Sequence, residues 1–322
     1  MKKHPLLFAL VAILVTGAVV AEEAAQKAVL VTGASSGSGR VIAETLAERG
    51  YFVYAGARKQ ADMDELNAIE NIQAVRLDVT IQSEIDAAVA TVKEQGRGLY
   101  GLVNNAGVAV LGPLIEIPES DVEFVMDVNV FGPYRVTKAF APLIIESKGR
   151  ITTTGSIAGI LSSQFYGPYS MSKHAMEAFT DSLAVEMEKF GVKVSIIEPG
   201  GFNSKIGPKV FQRIKNNEFS IEDSLYKQEW EESWVLENQG AYDLDNNVPQ
   251  EIANAVIDTL ESESPKARYM IVGERDVAER TVRKAMQEAI QVNEKQPHSL
   301  SREELIEVLV ELMQAQPMET SE

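Results

Sequence analysis

Short apolar runs rich in β-branched residues alternate with helical stretches along most of the chain, and this alternation constrains the fold more than any other feature. Lys27-Ala28-Val29-Leu30-Val31 reads as a buried strand that ends at Thr32-Gly33. A helix over 41–49 follows, stopped by Gly50. Strands are predicted over 51–55 and 72–77, with a polar helix near 62–68 between them. A helix over 83–94 carries Ile85, Ala88, Val89 and Val92 on one face. A strand over 99–103, a long helix over 120–146, a strand over 150–154, a helix over 169–190 and a strand over 192–197 complete the run. Such β-α alternation implies an α/β fold: a doubly wound parallel sheet covered on both faces.

After Pro199-Gly200 the pattern changes. Residues 202–248 hold Trp230, Trp234 and several Phe and Tyr, with no strand signal, and read as a lid over a site. A helix over 250–259 and a seventh strand over 268–272 return to the pattern. A C-terminal helical extension over 273–322 then carries two amphipathic helices. The first, over 276–292, has Ala278, Val282, Ala285, Met286 and Ala289 on one stripe. The second opens on the capping-box pair Ser301 and Glu304 and carries Leu305, Ile306, Val308, Leu309, Leu312 and Met313. That stripe is too apolar to be solvated. It is expected to pack on its own domain, with a partner subunit as the alternative.

Composition excludes several functions. There are 30 Lys plus Arg against 47 Asp plus Glu, a net charge of −17, which is a poor match for phosphate backbones and argues against nucleic acid as a partner. With no Cys and three scattered His, neither a thiolate nucleophile nor a zinc site is expected. The N-terminus has its own signature. Met1-Lys2-Lys3-His4-Pro5 precedes an uncharged run over 6–20, then Ala21 and Glu22-Glu23. Residues 1–21 therefore read as a signal peptide or a membrane anchor. The chain is expected to be exported or held at a membrane through 6–21, on a side the sequence leaves open.

Gly33-Ala34-Ser35-Ser36-Gly37-Ser38-Gly39 lies between the first strand and the first helix. Glycines there permit a tight turn and let backbone N–H groups and a helix N-terminus approach a pyrophosphate. The Gly-Lys-Ser/Thr of a P-loop is missing, which favours a dinucleotide over a nucleoside triphosphate. An acid at the end of the second strand would bind ribose hydroxyls and repel a 2′-phosphate. Ala57, Arg58 and Lys59 stand there instead, favouring NADP(H) over NAD(H), with Arg58 as the 2′-phosphate ligand. Asp78, closing the third strand, is placed to reach the adenine amine or to serve as a turn residue.

Tyr169 and Lys173 are four residues apart and share a helix face. A free Tyr titrates near 10, and a neighbouring ammonium lowers that value by stabilising the phenolate. Tyr134 and Lys138 repeat the spacing but lack the context, and Tyr134 is expected to pack within its helix. Ser156, at the end of the fifth strand, precedes Tyr169 by 13 residues and can donate a hydrogen bond to a substrate oxygen.

At this point the chain resembles the short-chain dehydrogenase/reductase family over about 28–272. The resemblance rests on Thr32-Gly33 with Gly37 and Gly39, on Asn104-Asn105-Ala106-Gly107, and on Asn129, Ser156, Tyr169 and Lys173, separated by 27, 13 and 4 residues. It implies a Rossmann-type catalytic domain over 27–272. It also implies that Tyr169 is the general acid/base, that Lys173 holds the nicotinamide ribose, that Ser156 positions the carbonyl and that Asn129 holds a relay water. Asn105, Ala106 and Gly107 would line the cofactor crevice with Gly33, Ser35, Ser36 and Gly37. The segment Glu198-Pro199-Gly200-Gly201-Phe202 is similar to the branch containing 17β-hydroxysteroid and retinol dehydrogenases, with Pro199 and Gly200 at the cofactor. Ser204 would keep the hydroxyl that the family usually carries on Thr, and Ser38 stands where the family usually has Ile or Leu. The implied function is oxidoreduction of a small apolar alcohol or carbonyl by a homodimer or homotetramer. The alternative is a non-enzymatic dinucleotide-binding sensor or a membrane-associated scaffold.

Overall fold

The computed structural model describes residues 26–202, 206–216, 221–233 and 248–315. Its centre is a sheet of seven parallel strands: β1 Ala28–Val31, β2 Phe52–Ala57, β3 Ile72–Arg76, β4 Gly101–Asn104, β5 Arg150–Thr154, β6 Lys193–Pro199 and β7 Arg268–Ile271. Their spatial order is β3-β2-β1-β4-β5-β6-β7. The order reverses between β1 and β4, and such a switch point opens a crevice beyond the carboxyl ends of the strands.

Successive strand residues point to opposite faces, so each apolar run serves two cores. Val29 and Val31 pack with Ile42 and Leu46 of α1 (Gly37–Glu48) and with Val256 and Leu260 of α9 (Val248–Glu261). Ala28 and Leu30 pack on the other face, with Ile85 of α3 (Gln82–Glu94) and Phe140 and Ile144 of α5 (Gly132–Glu146). Each fully buried Leu or Ile contributes about 2 kcal/mol of transfer free energy. Both faces are thereby covered, as the unbroken apolar strands require. The short α2 (Gln60–Asn67) links β2 to β3.

The helix expected over 120–146 is interrupted in the middle. It consists of α4 (Glu119–Met126), a π-helical turn (Asp127–Phe131) and α5. The extra residue per turn falls at Asn129, and π-turns of this kind recur at functional sites. The helix α6 (Gly167–Glu188) begins with Pro168 in its first turn, where a missing N–H costs nothing.

Two expectations are corrected. Tyr134 does not pack within its helix: it is 49% exposed, with the Lys138 ammonium 5.8 Å from its ring centre. The apolar stripe of the last helix does not pack on the domain. In α10 (Arg275–Asn293) Val282 and Met286 are exposed, and in α11 (Arg302–Ala315) so are Ile306, Leu309, Leu312 and Met313. The reason is local: Ser301 and Glu304 exchange the two capping hydrogen bonds and start α11 on their own, while both sheet faces are already covered. Residues 1–25, Ser204 and Trp234 lie outside the described residues. Among the described residues no helix is long and apolar enough to cross a membrane.

Candidate active site

The crevice is built where β1 and β4 diverge. Gly33 follows β1 with φ +67°, and a Cβ there would come within 2.8 Å of Ala106 Cα, so only glycine fits. The Thr32 hydroxyl accepts hydrogen bonds from the amides of Asn105 (2.9 Å) and Ala106 (3.0 Å) and donates to the Val103 carbonyl. It therefore locks the β4 loop against the glycine turn. Asn105 Nδ2 donates to the Thr32 carbonyl at 3.1 Å, and its Oδ1 accepts from the Ser38 hydroxyl at 3.0 Å. Ser38, unusual at its position, is thus held by the neighbouring loop.

Beside this turn lies a cavity of about 140 Å³ lined by Ser35, Ser36, Gly37, Arg58, Asp78 and Gly107 among others. Gly37 (φ +59°) has nothing within 4 Å of where a Cβ would sit, so the N-terminus of α1 can be approached closely. An open helix N-terminus beside a glycine cradle fits the pyrophosphate of a dinucleotide. Arg58 Nη1 lies 3.4 Å from Asp78 Oδ2 at the far end of the cavity. Burial pushes the Asp78 carboxyl up, but the amide and hydroxyl of Thr80 and the Arg58 guanidinium outweigh it and hold the group below its ordinary range. Asp78 is therefore both a turn residue, through Thr80, and part of the cavity wall.

The second, larger cavity of about 450 Å³ adjoins the first. Ser156 and Tyr169 both face it, with apolar walls that include Leu111, Ile157, Leu161 and Val210, while Gly200 lines it beside Phe202. Ser156 caps the turn after β5: its Oγ accepts from the Ala158 amide at 3.1 Å and donates to the Pro199 carbonyl at 3.3 Å. Lys173 is buried behind Tyr169, its ammonium 5.6 Å from the ring centre, and donates to the Thr154 carbonyl at 2.9 Å. Burial pulls that ammonium down to about 8, while the Glu177 carboxylate acts the other way. Asn129 makes three bonds. Its Oδ1 accepts from the Val108 amide at 2.9 Å, and its Nδ2 donates to the Val108 carbonyl at 2.8 Å and to Ser172 Oγ at 3.0 Å. It joins the β4 loop to α6 between Tyr169 and Lys173.

The structure thus brings Asn129, Ser156, Tyr169 and Lys173 to one place; of the expected cofactor residues, Gly33, Ser35, Ser36, Gly37, Ser38, Arg58, Asp78, Asn105, Ala106 and Gly107 line the smaller cavity, Tyr169 and Gly200 the larger one, Gly39, Lys173 and Pro199 neither, and Ser204 lies outside the described residues. Sequence reasoning missed the bridging of Thr32, the Thr154 carbonyl, Lys209 of α7 (Ile206–Asn216) at the cofactor cavity and Arg280 of α10 at the substrate cavity. A backbone carbonyl carries no sequence signal, and Lys209 and Arg280 reach the site only through tertiary docking.

The comparisons agree with this geometry. The family model described as short chain dehydrogenase matches residues 27–215. The mitochondrial D-beta-hydroxybutyrate dehydrogenase of Rattus norvegicus is 32% identical over 271 residues, covering 77% of this chain and 78% of its own. Retinol dehydrogenase 7 of the same organism is 34% identical over 255 residues, covering 76% and 80%. A short-chain dehydrogenase from Streptomyces avermitilis superposes with a TM-score of 0.70 at 30% identity, covering 84% of this chain and 96% of its own. With the glycine cradle, the Ser-Tyr-Lys constellation and these likenesses in hand, the chain belongs to the short-chain dehydrogenase/reductase family and is an oxidoreductase using a nicotinamide dinucleotide.

Proposed function

We propose that the protein interconverts a secondary alcohol and a carbonyl on an apolar, lipid-, retinoid- or steroid-like substrate, with NADP(H) as the preferred cofactor. The observation that carries the reading is that Ser156 and Tyr169 share one largely apolar cavity while Lys173 is buried behind the phenol. Tyr169 delivers a proton to the carbonyl oxygen in reduction and takes it back in oxidation. The Lys173 ammonium, charged below about 8, stabilises the phenolate that is left. Ser156 turns its hydroxyl from the long bond to Pro199 onto the developing oxyanion. Asn129 keeps α6 in register with the cofactor loop. When bound, the nicotinamide supplies or accepts the hydride.

Support for NADP(H) comes from Arg58 at the cavity and from Ala57 at the end of β2, where an acid would repel a 2′-phosphate, while Asp78 on the same wall is paired with Arg58. We further propose that α7 and the aromatic segment around it form a lid. Phe202, Ile206 and Val210 line the substrate cavity from that side. The exposed Phe124, Phe131 and Tyr134 suit a homodimer or homotetramer built through the long helices. Residues 1–21 would export the enzyme as a signal peptide or hold it at a membrane through 6–21, which cell fractionation with and without residues 1–21 tests.

The decisive experiment follows NADPH and NADH oxidation by purified protein against aldehydes, ketosteroids and retinal, with Tyr169→Phe as control. Turnover is expected to prefer NADPH and to fall by about 10²-fold or more in the variant, with cofactor binding retained. Equal turnover in the variant would overturn the role of Tyr169, and no turnover by the wild type with cofactor still bound would favour a sensor or scaffold. Turnover with NADH alone would overturn the role of Arg58.

A further inference from the structure

Directly behind the catalytic turn, three acids converge on one cation. Arg268 of β7 binds both carboxylate oxygens of Asp181 at 2.7 Å through Nη2. Its Nε lies 3.3 Å from Glu177 Oε2 and 3.4 Å from Glu198 Oε1, longer than the usual 2.7–2.9 Å of a charge-assisted hydrogen bond. Glu198 is 2% exposed. Both carboxylate oxygens of Glu177 and Oε1 of Glu198 are buried and accept no hydrogen bond from a described donor. Two ionised carboxylates in this position would leave a surplus of negative charge out of water, which buried carboxyl pairs avoid by keeping a proton.

The pair's location gives it work to do. Glu177 stands one helical turn after Lys173 on α6. A Cβ at Gly155 would lie 3.3 Å from Glu177 Oε1, and one at Gly159 2.8 Å from it, so this carboxyl packs under both ends of the turn that carries Ser156. Glu198 immediately precedes Pro199, whose carbonyl holds the Ser156 hydroxyl. The charged groups facing the pair are Arg268 from β7 and Asp181 and Lys173 from α6, and the glycine turn brings none.

We propose that Glu177 and Glu198 share one proton, and that this acid–carboxylate pair, anchored by Arg268, is the positioning element that holds the Ser156 turn in register with Lys173. Neither residue touches substrate. The kinetic consequence rests on the alcohol/carbonyl reading, whereas the shared proton does not, and the two are tested separately.

The first measurement is infrared spectroscopy of the full chain between pH 5 and 9. A carbonyl stretch of a protonated carboxylic acid is expected at low pH, lost with one proton at neutral to mildly alkaline pH and missing from both Glu177→Gln and Glu198→Gln. Absence of the band in the wild type, or its survival in both variants, overturns the shared proton whether or not any substrate is known. The second measurement compares turnover at pH 6. Glu198→Ala is expected to lose about 10²-fold in kcat with KM little changed, as for a misplaced catalytic group. Glu198→Gln, an amide that still donates to Glu177, is expected to restore kcat close to the wild-type value. Equal kcat in Glu198→Ala and wild type, or no rescue by Gln in a variant that melts normally, overturns the positioning role.

Discussion

Lys173 carries its charge into a buried position, and its protonation is set by that burial. Held down to about 8 from an ordinary 10.5, it binds its proton less tightly in the folded chain than in the unfolded one. Stability is therefore expected to rise with pH between about 8 and 10.5 as this burial cost is relieved, a trend that Lys173→Met removes from urea titrations at a series of pH values. The rate of carbonyl reduction runs the other way. It is expected to decline as pH rises through about 8, where the ammonium beside Tyr169 is lost. Gly33 is equally constrained. Gly33→Ala meets both the left-handed φ and the approach of Ala106, and is expected to weaken NADPH binding in a fluorescence titration. Tyr169 and Lys173 were legible in the sequence from their helix spacing and Ser156 from its place at a strand end, while Asn129 came only through the family resemblance. Glu177 was not, because its role depends on Gly155 and Gly159, which only the folded turn places against it.

At the scale of elements, the lid side of the site rests on an aromatic stack. Phe165 and Trp230 lie parallel with centroids 4.3 Å apart, and Trp230 is fully buried with Leu111, Val210 and Ile214. Phe165 adopts φ +67°, uncommon for a bulky residue, and its carbonyl accepts from the Gly112 amide at 2.8 Å. Stacking and this bond together hold the strained backbone. Trp230→Ala, which removes a large buried ring, is expected to destabilise the chain by about 3–5 kcal/mol in chemical denaturation. The β6 end adds a pH dependence opposite in sign to that of Lys173. Burial first, and the neighbouring Glu177 second, push the Glu198 carboxyl up to about 7. Its contribution to stability is present at acid pH and lost as pH rises through about 7, so Glu198→Gln is expected to flatten the melting temperature between pH 5 and 8. Strand and helix identities were readable from apolar period. The π-turn at Asn129 was not, since one inserted residue leaves the period of a long helix nearly unchanged.

At the scale of the whole molecule, the parallel sheet was accessible from the alternation of elements and the family from its motif residues, whereas the disposition of the C-terminal helices was not. An apolar stripe says that a helix wants a partner surface, not which surface is free. Neither of the two large core clusters includes a residue beyond Ile271, and the helices that follow expose their stripes. A chain ending at residue 293 is accordingly expected to unfold at the same temperature as the full chain, measured by calorimetry.

The substrate cavity draws its walls from positions 109–111, 156–170, 200–202, 206–210 and 272–280, the last of these running into α10. A ribosome must therefore release most of the chain before the pocket has all its sides. Refolding is expected to show the same lag, with sheet and helix signals recovering first and turnover last, as the closing segment docks.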